Sequence, residues 1–300
     1  MKKETTRARL CLIASMSIFG TIGILRHYLP VPSGFLAMFR GLAGTLFLLL
    51  VDRVRGRQLS RKAVSQSLLP LCVSGVLMGL NWILMFEAYR FTSVATATLC
   101  YYMAPVFTLL AAPFVLHERL TLRKIICVAA ALFGMFLVSG AAYSGSSGSS
   151  GIAGVLCALG AAVLYAAVVL MNKRICGVPA SDKTIVQLGT AGVVLIPYVL
   201  LTGELSQVEL TPSVAVLLLV AGLVHTGLSY SLYFASTDYL PAHTLALLSY
   251  LDPIIAVLLS ALLLREPMSP LQGLGAVLII AAAAVAELPE HKGKQKETTK

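Results

Sequence analysis

The 300-residue chain is 58% hydrophobic and only 12% charged, with a net charge of +10. Soluble domains carry about a quarter of their residues as charges, so an ordinary soluble protein is excluded. The basic excess does not point to nucleic acid either, because lysine and arginine follow the alternation of loops instead of forming one patch.

Apolar blocks of about twenty residues, each able at ~1.5 Å per residue to cross roughly 30 Å of hydrocarbon, are separated by short polar or Gly/Pro-containing stretches. Ten spans are predicted, over 10–28, 34–51, 67–86, 94–115, 122–141, 152–172, 184–202, 212–235, 241–264 and 270–288. The first follows MKKETTRAR and is succeeded by Arg26 and HYLPVPS rather than a cleavage site of small residues, so it reads as a retained span and not a secretory signal.

The second span holds Arg40, roughly 9 Å below its outer end, where the side chain either snorkels to the surface or meets an acidic or substrate partner. Asn81 and Trp82 lie on the third span, and Glu87 and Arg90 fall at its end, in reach of solvent. The fourth carries Tyr101, Tyr102 and Pro105 and ends near Glu118; the sixth carries Tyr165. On the eighth, His225, Ser229 and Tyr233 stand four apart along one helix face, with Tyr230 beside them. The ninth contains LALLSYLDPIIAVLL (245–259), which sets Tyr250, Asp252 and Pro253 in an otherwise apolar run, and ends before Glu266. The six cysteines form no CxxC pair and no histidine stands at metal-ligand spacing, so free thiols and no metal or cofactor are expected.

Shifted by 148 positions, the sequence meets itself without a gap across most of each half. Gly41 meets Gly189, Gly44 meets Gly192, Tyr102 meets Tyr250, Pro105 meets Pro253 and Glu118 meets Glu266. The chain divides into a five-helix unit over 1–144, a Gly/Ser linker over 145–151, a second five-helix unit over 152–288 and a basic tail over 289–300. Five is odd, so the second unit enters the membrane inverted relative to the first. The expected fold is an all-α integral membrane protein of ten transmembrane helices in two inverted repeats. With a cytoplasmic N-terminus, the inside segments collect most of the basic residues, and the outside connections keep only Arg26, Arg90 and Arg265, which places both termini in the cytoplasm of a multi-pass cell-membrane protein.

Inverted repeats with interrupted helices place a transporter's site near the bilayer midplane. Pro105 and Pro253 each lack an amide hydrogen, so the carbonyls of Tyr101 and Ser249 should be released from the helix ladder and need another donor. Asp252 lies roughly 18 Å into its span, where a carboxylate costs about 2.5–3.5 kcal/mol and must find a partner, a wet cavity or a proton.

The repeated pattern YMAPVFTLLAAPFVLHE (102–118) and YLDPIIAVLLSALLLRE (250–266) resembles the EamA family of the drug/metabolite transporter superfamily. The resemblance implies a basket of ten helices, a central cavity lined by the first, third and fourth helices of each half, and alternating access. Within it, Asn81, Trp82, Tyr101, Tyr102, Tyr165, His225, Ser229, Tyr230, Tyr233 and Tyr250 are the candidate substrate-binding set. Asp252 is the candidate coupling acid, Pro105 and Pro253 are hinges, and Arg40, Glu118 and Glu266 are gate or structural residues.

The expected partners are the lipid bilayer, a small-molecule substrate and protons. Export of an amino-acid-like metabolite ranks first, efflux of lipophilic cationic drugs second, and a non-transporting receptor or scaffold is the reading of another class. An enzyme is not expected: GSSG at 145–148 belongs to the Gly/Ser linker, and no HExxH or Walker loop occurs.

Overall fold

The computed structural model describes residues 2–116, 121–138, 149–237, 239–240 and 242–288. Among them, regular structure is entirely helical. α1 (Lys2–Gly20) and α2 (Ile22–Tyr28) form one span jointed at Thr21, whose hydroxyl donates to the Ile18 carbonyl at 2.7 Å. α3 (Ser33–Val54), the short α4 (Arg61–Gln66) and α5 (Leu68–Phe91) follow. α6 (Val94–Tyr101) starts on Ser93, whose hydroxyl accepts the Thr96 amide at 3.0 Å and so satisfies one of the free donors of a helix start. α7 (Ala104–Val115) and α8 (Leu122–Val138) complete the first half.

The second half opens with α9 (Ser149–Arg174), which already includes the last three residues of the predicted linker, and α10 (Ala180–Leu201). Gly203 then turns the chain in the left-handed region, φ 70°, where a side chain would be strained. α11 (Pro212–Leu219) is capped by Thr211 and passes through a π-helical segment, Val220–Leu228, into α12 (Ser229–Thr237). α13 (Ala242–Ser249), α14 (Leu251–Leu263) and α15 (Pro270–Glu287) end the fold, the last started by a reciprocal Ser269–Gln272 capping box.

Seven helical stretches among the described residues are long and apolar enough to cross a bilayer: Glu4–Tyr28, Ser33–Val54, Leu68–Phe91, Val94–Val115, Gly151–Arg174, Ala180–Leu201 and Pro212–Ser236. Leu251–Leu263 and Pro270–Val285 are shorter apolar helices. The protein is therefore a membrane-spanning, multi-pass helical protein. The fourth predicted span is broken rather than continuous, because α6 stops at Tyr101 and α7 begins at Ala104.

The packing repeats under exchange of the two halves. α3 packs on its counterpart α10, and α8 on its counterpart α15; α5 packs on α9 as α12 packs on α1, and α7 packs on α9 as α14 packs on α1. The central crossing is close because it is made of glycine: a Cβ on Gly41 would stand 2.7 Å from the Gly192 amide nitrogen and 2.8 Å from the Leu188 carbonyl oxygen. Bringing two backbones together in this way replaces the missing hydrophobic drive between helices in lipid.

Candidate functional site

The two proline breaks meet. Before Pro105 the chain turns at Tyr102 (φ −71°, ψ 5°), and before Pro253 it turns at Tyr250 (φ −72°, ψ −6°), the same conformation at repeat-equivalent positions. Their rings lie 6.3 Å apart, centroid to centroid. The Tyr102 hydroxyl lies 2.9 Å from Asp252 Oδ2 and 3.4 Å from the Ser249 carbonyl oxygen. The carbonyl predicted to leave the ladder at Ser249 thus faces a donor from the opposite repeat, alongside the midspan acid. Pro105 occupies the first turn of α7, where its missing amide costs nothing, so it restarts a helix rather than kinking one.

Around this junction the tyrosines run in series. Tyr102 contacts Tyr101 edge-on at 6.3 Å, and Tyr101 contacts Tyr165 of α9 at 5.6 Å. Tyr165, midway along its helix, keeps 38% of its surface accessible. Tyr101, Tyr165 and Tyr230 all lie within electrostatic reach of Asp252. Asn81 is buried and donates to the Ala161 carbonyl at 2.6 Å, tying α5 to α9 behind Tyr101.

Arg40 does not snorkel. It is 5% exposed, with its guanidinium 4.6 Å from the centre of the Trp82 ring and 5.3 Å from that of Phe86, while Nε donates to Thr226 Oγ1 at 3.0 Å. The aromatic faces attract the cation, which substitutes in part for the lost water. Among the described residues no carboxylate pairs with it.

The π segment sets this partner in place. Its wider turn leaves carbonyls for side chains five residues on: Thr226 donates to Ala221 at 3.0 Å and Ser229 to Val224 at 3.0 Å, while His225 Nδ1 lies 3.3 Å from the Val220 carbonyl oxygen. His225 Nε2 is 2.8 Å from Thr21 Oγ1, and the Ser229 carbonyl accepts from Ser15 at 2.8 Å. His225 and Ser229 therefore join this segment to the α1–α2 span. Tyr230 and Tyr233 pack through Phe234, and Tyr230 also meets Phe19 edge-on at 5.2 Å.

Glu266 accepts the Val94 amide at 2.9 Å and the Ser260 hydroxyl, so it holds the start of α6 from the other repeat. A carboxylate there also complements the helix dipole. Its counterpart Glu118 lies outside the described residues.

Two features escaped the sequence reading. A cavity of about 680 Å3 opens where the loops after α2, α5 and α10 meet, lined by Arg26, Glu87, Tyr89, Arg90 and Glu204 among others. Arg26 is 7% exposed and its Nε has no hydrogen-bond partner among the described residues, while Glu87 and Arg90, in reach of solvent as expected, pair at 2.9 Å on this wall. Elsewhere, the fully buried Asp182 at the start of α10 pairs with Arg57 and accepts the Ser60 amide at 2.9 Å, clamping the loop after α3. All six cysteines carry free thiols.

A bundle of two exchanged helical units, joined at paired helix breaks and carrying polar groups at mid-span, defines the class: a multi-pass membrane transporter. The chain belongs to the EamA-like transporter family, which matches residues 6–140 and 152–287, one match for each repeat. It is similar to two proteins of Bacillus subtilis (strain 168): Uncharacterized transporter YxxF, 29% identical over 99% of this chain and 94% of that one, and Uncharacterized transporter YwfM, 30% identical over 96% of each. A solved crystal structure shares the fold with a TM-score of 0.66 at 21% identity, covering 94% of this chain and 96% of the other.

Proposed function

We propose that the protein is a secondary carrier of the cell membrane that moves a small, amino-acid-like metabolite outward by alternating access. Ten spans in two inverted five-helix units, with both termini cytoplasmic, are the topology of this reading. The observation that carries it is the meeting of the two helix breaks, where Tyr102 of one repeat contacts both Asp252 and the Ser249 carbonyl of the other. A joint made from both halves changes when the halves rock against each other, as alternating access requires.

Asp252 is the coupling acid of this proposal, taking a proton on one face of the membrane and releasing it on the other. The groups within its reach are Tyr89, Tyr101, Tyr102, Tyr165 and Tyr230. The Arg26–Glu204 cavity is the outer vestibule, and the Arg57–Asp182 clamp closes the cytoplasmic side. Efflux of lipophilic cations ranks second: such a cargo would find the tyrosines and Asp252, but Arg40 on the same cluster would repel it.

Counterflow in proteoliposomes, screened over amino acids, nucleosides and quaternary amines, tests the carrier reading, and accumulation of at least one compound is expected. Absence of flux with every compound would favour a receptor or scaffold. Engineered cysteines near Gln207 should be labelled from outside intact cells, and those near Arg57 only after permeabilisation; labelling near Arg57 in intact cells reverses the orientation.

A further inference from the structure

The strongest unexplained feature is the charge on Arg40. A guanidinium largely withdrawn from water needs partners for its donors, and burial without an anion is costly. Here only Nε is bonded, to Thr226, and the two terminal nitrogens have no hydrogen-bond partner among the described residues. Trp82 and Phe86, one turn apart on α5, set their ring centres 4.6 and 5.3 Å from the guanidinium carbon, and the edge that bears the two unbonded nitrogens is left for a ligand. That edge is the fork that matches a carboxylate through two parallel hydrogen bonds.

Asp252 is the opposite case, an acid whose carboxylate accepts from the Tyr102 hydroxyl. The two charges do not pair with each other among the described residues. They face the same cluster, because Tyr89, Tyr101 and Tyr230 are each within electrostatic reach of both. Tyr89 also lines the cavity, so the cluster meets its wall at that residue. Opposite charges held apart on one aromatic cluster would be filled by a molecule carrying both complements.

We propose that Arg40 and Asp252 are the two poles of a binding site for a dipolar cargo, with a carboxylate on Arg40 and an ammonium group on Asp252 and the tyrosine faces. This rests on the carrier reading and narrows it to solutes that bear both groups. Arg40 then acts as a binding residue rather than a gate.

The test titrates the purified protein with the common amino acids, their methyl esters and their N-acetyl derivatives, reading thermal stability. At least one free amino acid should raise the midpoint, and its ester and N-acetyl forms should bind at least about tenfold more weakly. Arg40→Met should abolish the response to the free acid while leaving the unliganded midpoint unchanged or higher, because an uncompensated buried charge is removed. Arg40→Lys should retain part of the response.

An ester that binds as well as its parent acid, no response to any free amino acid, or Arg40→Met with undiminished affinity would each overturn the proposal. If Arg40→Met fails to fold, the ester comparison on the wild-type protein and the Arg40→Lys titration decide it. Counterflow separates the two levels: flux of esters or quaternary amines with no need for a carboxylate would leave the carrier standing and remove the dipolar site, whereas binding without flux would keep the site and remove the carrier.

Discussion

The broken helices α6–α7 and α13–α14 share one backbone, each halting on a tyrosine with ψ near zero before a proline, yet they differ in what stands next to that proline. The first repeat has Ala104 there and the second has Asp252. On the helices that cross at the centre the difference reverses, with Arg40 in the first repeat and its counterpart Leu188 in the second. The same contrast extends to the third helices: α5 is regular throughout, whereas its counterpart carries the π segment that presents Thr226 to Arg40. The duplicated joint is architecture common to both halves. Chemistry lies where the copies depart from each other, one charge to each half.

The largest effect that would sharpen this contrast is expected at Tyr102, whose hydroxyl faces both the break and the acid of the other repeat. Tyr102→Phe removes a donor to a charged group, worth about 1.5–3 kcal/mol, so transport should fall by roughly tenfold or more while insertion is kept. Wild-type rates in the variant would make the contact incidental. A smaller effect is expected from the joint itself: Pro105→Ala and Pro253→Ala should each slow substrate exchange by about a few-fold with near-normal expression, since an alanine amide lets the ladder close across the break. Equal rates in both variants would reduce the prolines to packing elements.

The repeat, the two breaks and the midspan acid were legible because a duplication leaves residues in register and because an acid beside proline in an apolar run stands out by composition. Arg40's burial was not. At its depth a long side chain can reach the surface, and only the placement of Trp82, Phe86 and Thr226 around it, from two neighbouring helices, closes that route. The π segment has no sequence signature either, since VAGLVHTGL suits an α-helix equally well and the extra residue shows only in which carbonyls Thr226 and Ser229 meet. The cavity beside the solvated Glu87 and Arg90 was not legible, because it depends on loops whose convergence no local pattern encodes.

If the asymmetry between the repeats is what drives transport, the direct measurement is Asp252→Asn in proteoliposomes under an imposed proton gradient, using a labelled amino acid that scores in counterflow. The asparagine keeps the shape and can still accept from Tyr102, but cannot release a proton. With solute raised to saturation, so that the lost charge contact to the ammonium group is offset, exchange should survive while accumulation against the solute gradient is lost. A variant that still concentrates the solute with the wild-type dependence on the proton gradient would contradict it and leave Asp252 as a structural acid.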